Sequence, residues 1–207
     1  MLPIPDDVVH FGLVVEGQGE VAAVPLLIRR ICGELFGIFA VRVAHPVRIT
    51  KSKILRPEEL ERAVQFALNR NDGLGPVIVL LDADDDCPAA LGPALKDRAF
   101  PLAQARGVSI VVAKSEFEAW FLASAHSLSG RSGLRESLEP PADPEGIRGA
   151  KAWLSRNMLP GRKYSPTVDQ AALVAGMDLN AAKACQSFDR LCREIERLVR
   201  QSVDTTF

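Results

Sequence analysis

Between Val8 and His126, short apolar runs alternate with longer stretches of helical periodicity. The run Val8–Val15 is β-branched and continuous, and it ends at Glu16-Gly-Gln-Gly-Glu20. A continuous apolar run that stops at glycines before a helical pattern reads as a buried parallel strand entering a tight turn. Val24, Leu27, Ile28, Ile31 and Leu35 then recur at helical spacing across 21–35. Phe39–Val47 reads as a second strand, and Pro57-Glu-Glu-Leu-Glu opens a helix with proline and acids in its first turn. Pro76–Asp82 is the clearest strand, Pro88 starts a helix running towards Arg106, and Gly107–Ala113 is the fourth strand. A helix over Ser115–His126 follows. This alternation predicts an α/β fold whose mostly parallel central sheet is flanked by helices, with right-handed crossovers.

The pattern changes after Ser127. Residues 130–144 are rich in Gly, Ser and Pro and mark a boundary. Beyond them the periodicity is helical, over 147–157, 168–174 and 187–201. The expected organisation is an α/β domain over 1–128 and a helical C-terminal extension over 129–207, packed on the same core. In the last helix Phe188, Leu191, Ile195, Leu198 and Val199 form an apolar stripe, and Arg190, Arg193, Arg197 and Arg200 form a basic one that reads as a solvated face.

Composition narrows the function classes. With 25 Lys+Arg against 26 Asp+Glu in 207 residues, bulk positive charge does not hold nucleic acid. No apolar run is long enough to span a bilayer, and Met1–Asp7 lacks the basic and apolar regions of a signal peptide. Cys32, Cys87, Cys185 and Cys192 form no CxxC pair, so they read as reduced thiols of a cytoplasmic protein. His10, His45 and His126 are scattered, which argues against a zinc site.

The acids carry more information. Glu16 and Glu20 follow the first strand, Asp82, Asp84, Asp85 and Asp86 the third, and Glu116 and Glu118 the fourth. Ligands of open α/β sheets bind at the carboxyl ends of the strands, so these groups are expected to converge on one edge. Crowded carboxylates repel, and the repulsion is relieved by protonation or by a divalent cation. Mg²⁺ and Mn²⁺ favour such hard oxygen donors. Each group also has a plainer reading: Asp86 as a cap for the helix at Pro88, Glu20 as a favourable charge in its helix's first turn, and Glu118 as a surface residue. A second motif overlaps the first: Gly17-x-Gly19-x-x-Ala22 fits the dinucleotide fingerprint, although Glu16 and Glu20 would set negative charge beside a pyrophosphate. The glycines also suit a tight turn alone.

Glu16-x-x-x-Glu20, Asp82-x-Asp84 and Ser115-x-x-Glu118 resemble the Toprim metal site in the form carried by OLD-family nucleases. Over nearly its full length the chain resembles the Toprim-like DUF4276 family, through Val14–Glu20, Leu81–Asp84, Glu118–Leu122, Tyr164–Gln170 and Ser187–Leu191. The resemblance implies a Toprim-like sheet and metal-dependent phosphodiester cleavage of DNA or RNA, with Mg²⁺ or Mn²⁺ as cofactor. It implies Glu16, Asp82 and Asp84 as catalytic residues, and Glu16, Glu20, Asp82, Asp84, Asp86 and Glu118 as metal ligands. Ser115 and Glu116 would lie around them. It also implies a separately encoded ABC- or AAA-type ATPase as partner, in a defence system; this chain itself has no P-loop. Two alternatives stand beside the nuclease: a non-enzymatic or conditionally active partner subunit of such an ATPase, and a nucleotide-binding protein using the glycine motif.

For nucleic acid, Arg48, Lys51 and Lys53 in the loop after the second strand are the expected phosphate contacts. Trp120 and Phe121 read as core residues, and Arg162-Lys163-Tyr164 as either a phosphate contact or local packing. No membrane partner is expected, and a homodimer is compatible with the sequence.

Overall fold

The computed structural model describes residues 8–102 and 107–204. The N-terminal reading at 1–7 and the end of the helix predicted towards Arg106 lie outside the described residues. Five strands form one parallel sheet: β1 (Val9–Val15), β2 (Val41–Val43), β3 (Val47–Arg48), β4 (Val77–Asp82) and β5 (Val108–Ala113). Their order is β2-β1-β4-β5, with β3 also on β1. The predicted α/β architecture is therefore observed.

The second predicted strand is divided. Val9 pairs with Val41, an offset of 32, whereas Val14 pairs with Val47, an offset of 33. One extra residue is thus inserted at Ala44-His45-Pro46. Pro46 has no N–H for the ladder, and an edge bulge is where a sheet tolerates it.

Side chains alternate between two cores, as the period of a strand requires. Phe11, Leu13 and Val15 of β1, Ile78 and Leu80 of β4, and Val111 and Ala113 of β5 enter one. Helix α1 (Glu20–Arg30), extended by a π-helical turn at Ile31–Leu35, covers that face. Val14, Val77, Val79, Leu81, Ile110 and Val112 enter the other, beneath α2 (Lys51–Ile54), α3 (Glu59–Arg70) and α4 (Pro88–Ala99). Helices on both faces explain why these strands read as unbroken apolar runs. Gly12 faces α3 closely, since a Cβ there would stand 3.0 Å from the Ala67 carbonyl oxygen.

The helix expected from Ser115 begins later and in two pieces, α5 (Ala119–Ala123) and α6 (Ala125–Leu128). Ser115 adopts a left-handed φ of 62°, which cannot open a helix. The break falls at Ser124, whose hydroxyl donates to the Asp178 carbonyl at 2.9 Å. Then follow α7 (Ala150–Arg156), α8 (Pro166–Gly176), α9 (Leu179–Ala182) and α10 (Gln186–Asp204). The apolar stripe of α10 is buried in the same core as β1, each fully buried Leu, Ile or Phe contributing about 1.5–3 kcal/mol. Trp120 and Phe121 are core residues too, and the Trp120 and Phe188 rings meet edge-on at 5.3 Å. Glu145 anchors the start of α10 by accepting from the backbone N–H groups of Gln186 and Ser187 at 2.9 and 3.0 Å. The Ser187 hydroxyl in turn accepts from Trp120 Nε1 at 2.9 Å. The basic stripe is matched within its own helix: Arg193, Arg197 and Arg200 pair with Asp189, Glu194 and Glu196. All four cysteines are free thiols, and Cys185 and Cys192 are small core residues.

Candidate functional site

Parallel strands deliver their carboxyl ends to one edge. β1 ends before Glu16, β4 ends on Asp82, and the turn after β5 supplies Glu116 and Glu118. The turns after β4 and β5 are tied together, since the Asp84 N–H donates to the Ser115 carbonyl at 2.9 Å. Both residues are left-handed, with φ of 51° and 62°. Such a conformation costs a residue with a Cβ about 1–2 kcal/mol. Here it turns the chain sharply enough for acids two residues apart to part ways.

The carboxylates divide between two lysines. Lys151, in the first turn of α7, sets its Nζ 3.1 Å from Glu116 Oε1, 3.2 Å from Glu118 Oε2 and 3.6 Å from Asp82 Oδ2. Its own N–H donates to Glu116 Oε2 at 3.1 Å. Glu118 Oε1 accepts from the Tyr164 hydroxyl at 2.9 Å and from Gln170 Nε2 at 3.3 Å. Asp82 Oδ1 accepts from the Phe117 N–H at 2.7 Å. Lys51 is the second centre: buried, it pairs with Asp84 at 3.1 Å and Asp86 at 2.9 Å and donates to the Ala83 carbonyl. Glu16 links the two, its Oε1 accepting from the Lys51 N–H at 3.2 Å while its N–H donates to Glu20 Oε2 at 3.1 Å.

The expected acids therefore gather at one edge, but Asp82 and Asp84 face different lysines. Asp86 pairs with Lys51 and does not cap α4, whose N-cap is Cys87 without a side-chain bond. Ser115 directs its hydroxyl to the Glu145 carbonyl, a long contact of 3.5 Å. Of the three expected phosphate contacts, Arg48 and Lys53 are exposed, whereas the ammonium of Lys51 is turned inward to aspartates. Arg162 pairs with Asp169 at 3.0 Å, and Tyr164 is buried against Glu118.

Burial sets the electrostatics. It pushes the Glu20 carboxyl up to about 7, against backbone donors at Gly17 and Glu16 and with help from the charges of Glu118 and Glu16. Burial, then the charge of Glu20, raises Asp82 well above the usual carboxylate range, with Lys151 opposing. Glu118 is raised by burial against Lys151 and Tyr164. For Lys151 burial works downward, but the charges of Glu118, Asp82 and Glu116 outweigh it and raise its pKa. Burial and Glu118 raise the Tyr164 phenol, so it stays a donor. In the Lys151 cluster a single ammonium faces three carboxylates.

Among the described residues, three buried side-chain oxygens have no hydrogen-bond partner: Glu16 Oε2, Glu118 Oε2 and Gln170 Oε1. Glu118 Oε2 is near Lys151 Nζ but not in hydrogen-bond geometry. Orphaned carboxylate oxygens are costly unless something else satisfies them. As the side chains stand, no three His, Cys, Asp or Glu residues among the described residues form a ready metal cage. The Lys151 ammonium stands between Asp82, Glu116 and Glu118. The donor set itself, hard oxygens with unbalanced charge, suits Mg²⁺ or Mn²⁺ with some positions left to water.

The glycine turn packs against α8. A Cβ on Gly19 would lie 2.3 Å from the Pro166 carbonyl oxygen and 2.4 Å from Gln170 Oε1. Gly19 is thus required for the close approach of α8 to the start of α1, and that space is filled by protein. Neither Gly17 nor Gly19 has a left-handed φ.

Lys151, Tyr164 and Gln170 did not stand out as site residues from their types or spacing. Tyr164 and Gln170 did lie within a family-like segment, and that was the available signal. No lysine pattern marks Lys151, which reaches the acids through the fold of the C-terminal helices. Among the described residues, no helix is long and apolar enough to cross a membrane. No curated protein and no solved structure matches the chain. A family model described as a domain of unknown function matches residues 15–196, and the chain belongs to that family, DUF4276.

Proposed function

We propose that this protein is a divalent-cation-dependent phosphodiesterase of Toprim type that cleaves DNA or RNA. The observation that carries the reading is the buried Glu16 Oε2, a carboxylate oxygen without a hydrogen-bond partner, beside Glu20, Asp82 and Glu118 at the carboxyl edge of a parallel sheet. Glu16, Glu20, Asp82 and Glu118 would hold Mg²⁺ or Mn²⁺, with Asp84 and Asp86 beside them. Bound there, the cation supplies positive charge against a phosphodiester's developing negative charge. Glu16, with one oxygen on the Lys51 N–H and the other unpartnered, is the residue proposed as acid/base or metal ligand. Tyr164 and Gln170 orient Glu118, and Phe117 orients Asp82.

Incubation with Mn²⁺ and mixed DNA and RNA tests the reading. Cleavage that falls at least about a hundredfold in Glu16→Gln or Asp82→Asn is expected from the loss of a group acting on the transition state. Cleavage that survives in both variants, or never occurs, counts against a stand-alone enzyme.

The position of Lys151 favours a second reading, a subunit that is silent until an ATPase partner docks. Its ammonium sits among Asp82, Glu116 and Glu118, where a cation would otherwise bind. Co-purification of an ATPase that switches cleavage on supports this version, and full activity of the isolated chain removes it.

A further inference from the structure

Beside the carboxylate edge, β3, α2 and α3 enclose an open groove of about 400 Å³ lined by Arg48, Thr50, Lys53, Arg62 and Phe66. That volume lies within the range of ligand sites. Arg48 and Lys53 are exposed, and no carboxylate pairs with either among the described residues. Arg62 is shared between Glu58 at 2.8 Å and Glu59 at 3.5 Å, so the positive charge of the groove rests on Arg48 and Lys53. Phe66 is half-exposed. It is also held in place. The Arg70 guanidinium carbon lies 4.7 Å from its ring centroid, and Arg70 is fixed by the Pro46 carbonyl at 2.9 Å, at the bulge. The groove adjoins the acids through consecutive residues, because Lys51, whose N–H binds Glu16, stands between Thr50 and Lys53.

We propose that this groove binds single-stranded nucleic acid, with backbone phosphate on Arg48 and Lys53 and an unstacked base on Phe66. A steered phosphate and an aromatic platform together are the means by which single strands are held without sequence readout. A duplex offers the phosphates but no free base face. The inference rests on the phosphodiesterase reading for its substrate class, deepens it from nucleic acid to single strands, and is tested apart from it.

The test is fluorescence anisotropy of labelled dT and U oligonucleotides and of a duplex, with the whole protein in excess EDTA, so that neither metal nor cleavage contributes. Tighter binding of single strands than duplex is expected. Phe66→Ala should weaken it about ten- to hundredfold, and Phe66→Trp should restore it. The double variant Arg48→Ala, Lys53→Ala should weaken binding and reduce the logarithmic salt slope by about 1.4. Arg193→Ala, on the exposed face of α10, should change nothing. Absence of binding at low salt, equal affinity for duplex, or indifference to Phe66→Ala and to the charge variant each overturns the groove. Binding with no Mn²⁺-dependent cleavage keeps the groove and removes the hydrolytic reading, while cleavage without groove-dependent binding does the reverse.

Discussion

At the residue scale, charge is concentrated where burial makes it expensive. Glu20 is 5% exposed and its carboxyl sits at about 7 instead of 4.5. A carboxyl raised in the folded state binds more protons than the unfolded chain between those values, so stability is lost as pH rises through them. The shift corresponds to about 3 kcal/mol, or roughly 6–12 °C in Tm for a chain of this size. Asp82 and Glu118, also raised, add to the same trend, whereas Glu61 and Glu194 are held low and act only at more acid pH. Metal-free protein melted between about pH 5 and pH 8 should lose Tm steadily, and Glu20→Gln should flatten the loss; a Tm that rises across this window would falsify the burial argument. The acids were legible as sequence because each closes an apolar run. Their partners were not. Lys151 is one of many lysines until the chain folds, and nothing near Lys51 shows that it turns inward.

At the element scale, the inner strands were legible because helices cover both faces of the sheet and most residues of β1, β4 and β5 are apolar. The edge was not, because the bulge at Pro46 alters pairing without altering hydrophobicity, and the four-residue helices α2 and α9 are too short to show a period. The glycine motif shows how one pattern serves two physical ends. Gly19 fits a phosphate-binding turn by spacing, yet in the fold it admits the α8 backbone. Gly19→Ala should therefore lower stability by about 1–3 kcal/mol in protein with no ligand present, because the new methyl group meets main chain that cannot easily move. Differential scanning calorimetry reads this directly. Unchanged stability together with lost affinity for a nucleotide would instead return the turn to phosphate binding. Gly17→Ala, which meets only the end of the Glu20 side chain at 2.8 Å, should cost less.

At the scale of the whole molecule, a net charge of -1 conceals a separation of sign. Acids line the carboxyl edge, a basic groove lies beside it, and Arg193, Arg197 and Arg200 of α10 are matched within their own helix. The C-terminal helices complete the acidic edge, since Lys151, Tyr164 and Gln170 all come from beyond the Gly/Pro-rich boundary. Attraction for a phosphodiester should thus depend on what cation the edge holds, more than on the protein's net charge. Isothermal titration of Mn²⁺ into the metal-free chain tests this most directly. Saturable binding is expected, weakened by at least about tenfold in each of Asp82→Asn and Glu118→Gln, while both variants keep the native circular dichroism spectrum. Absence of a binding heat, or binding equally tight in both variants, would contradict it.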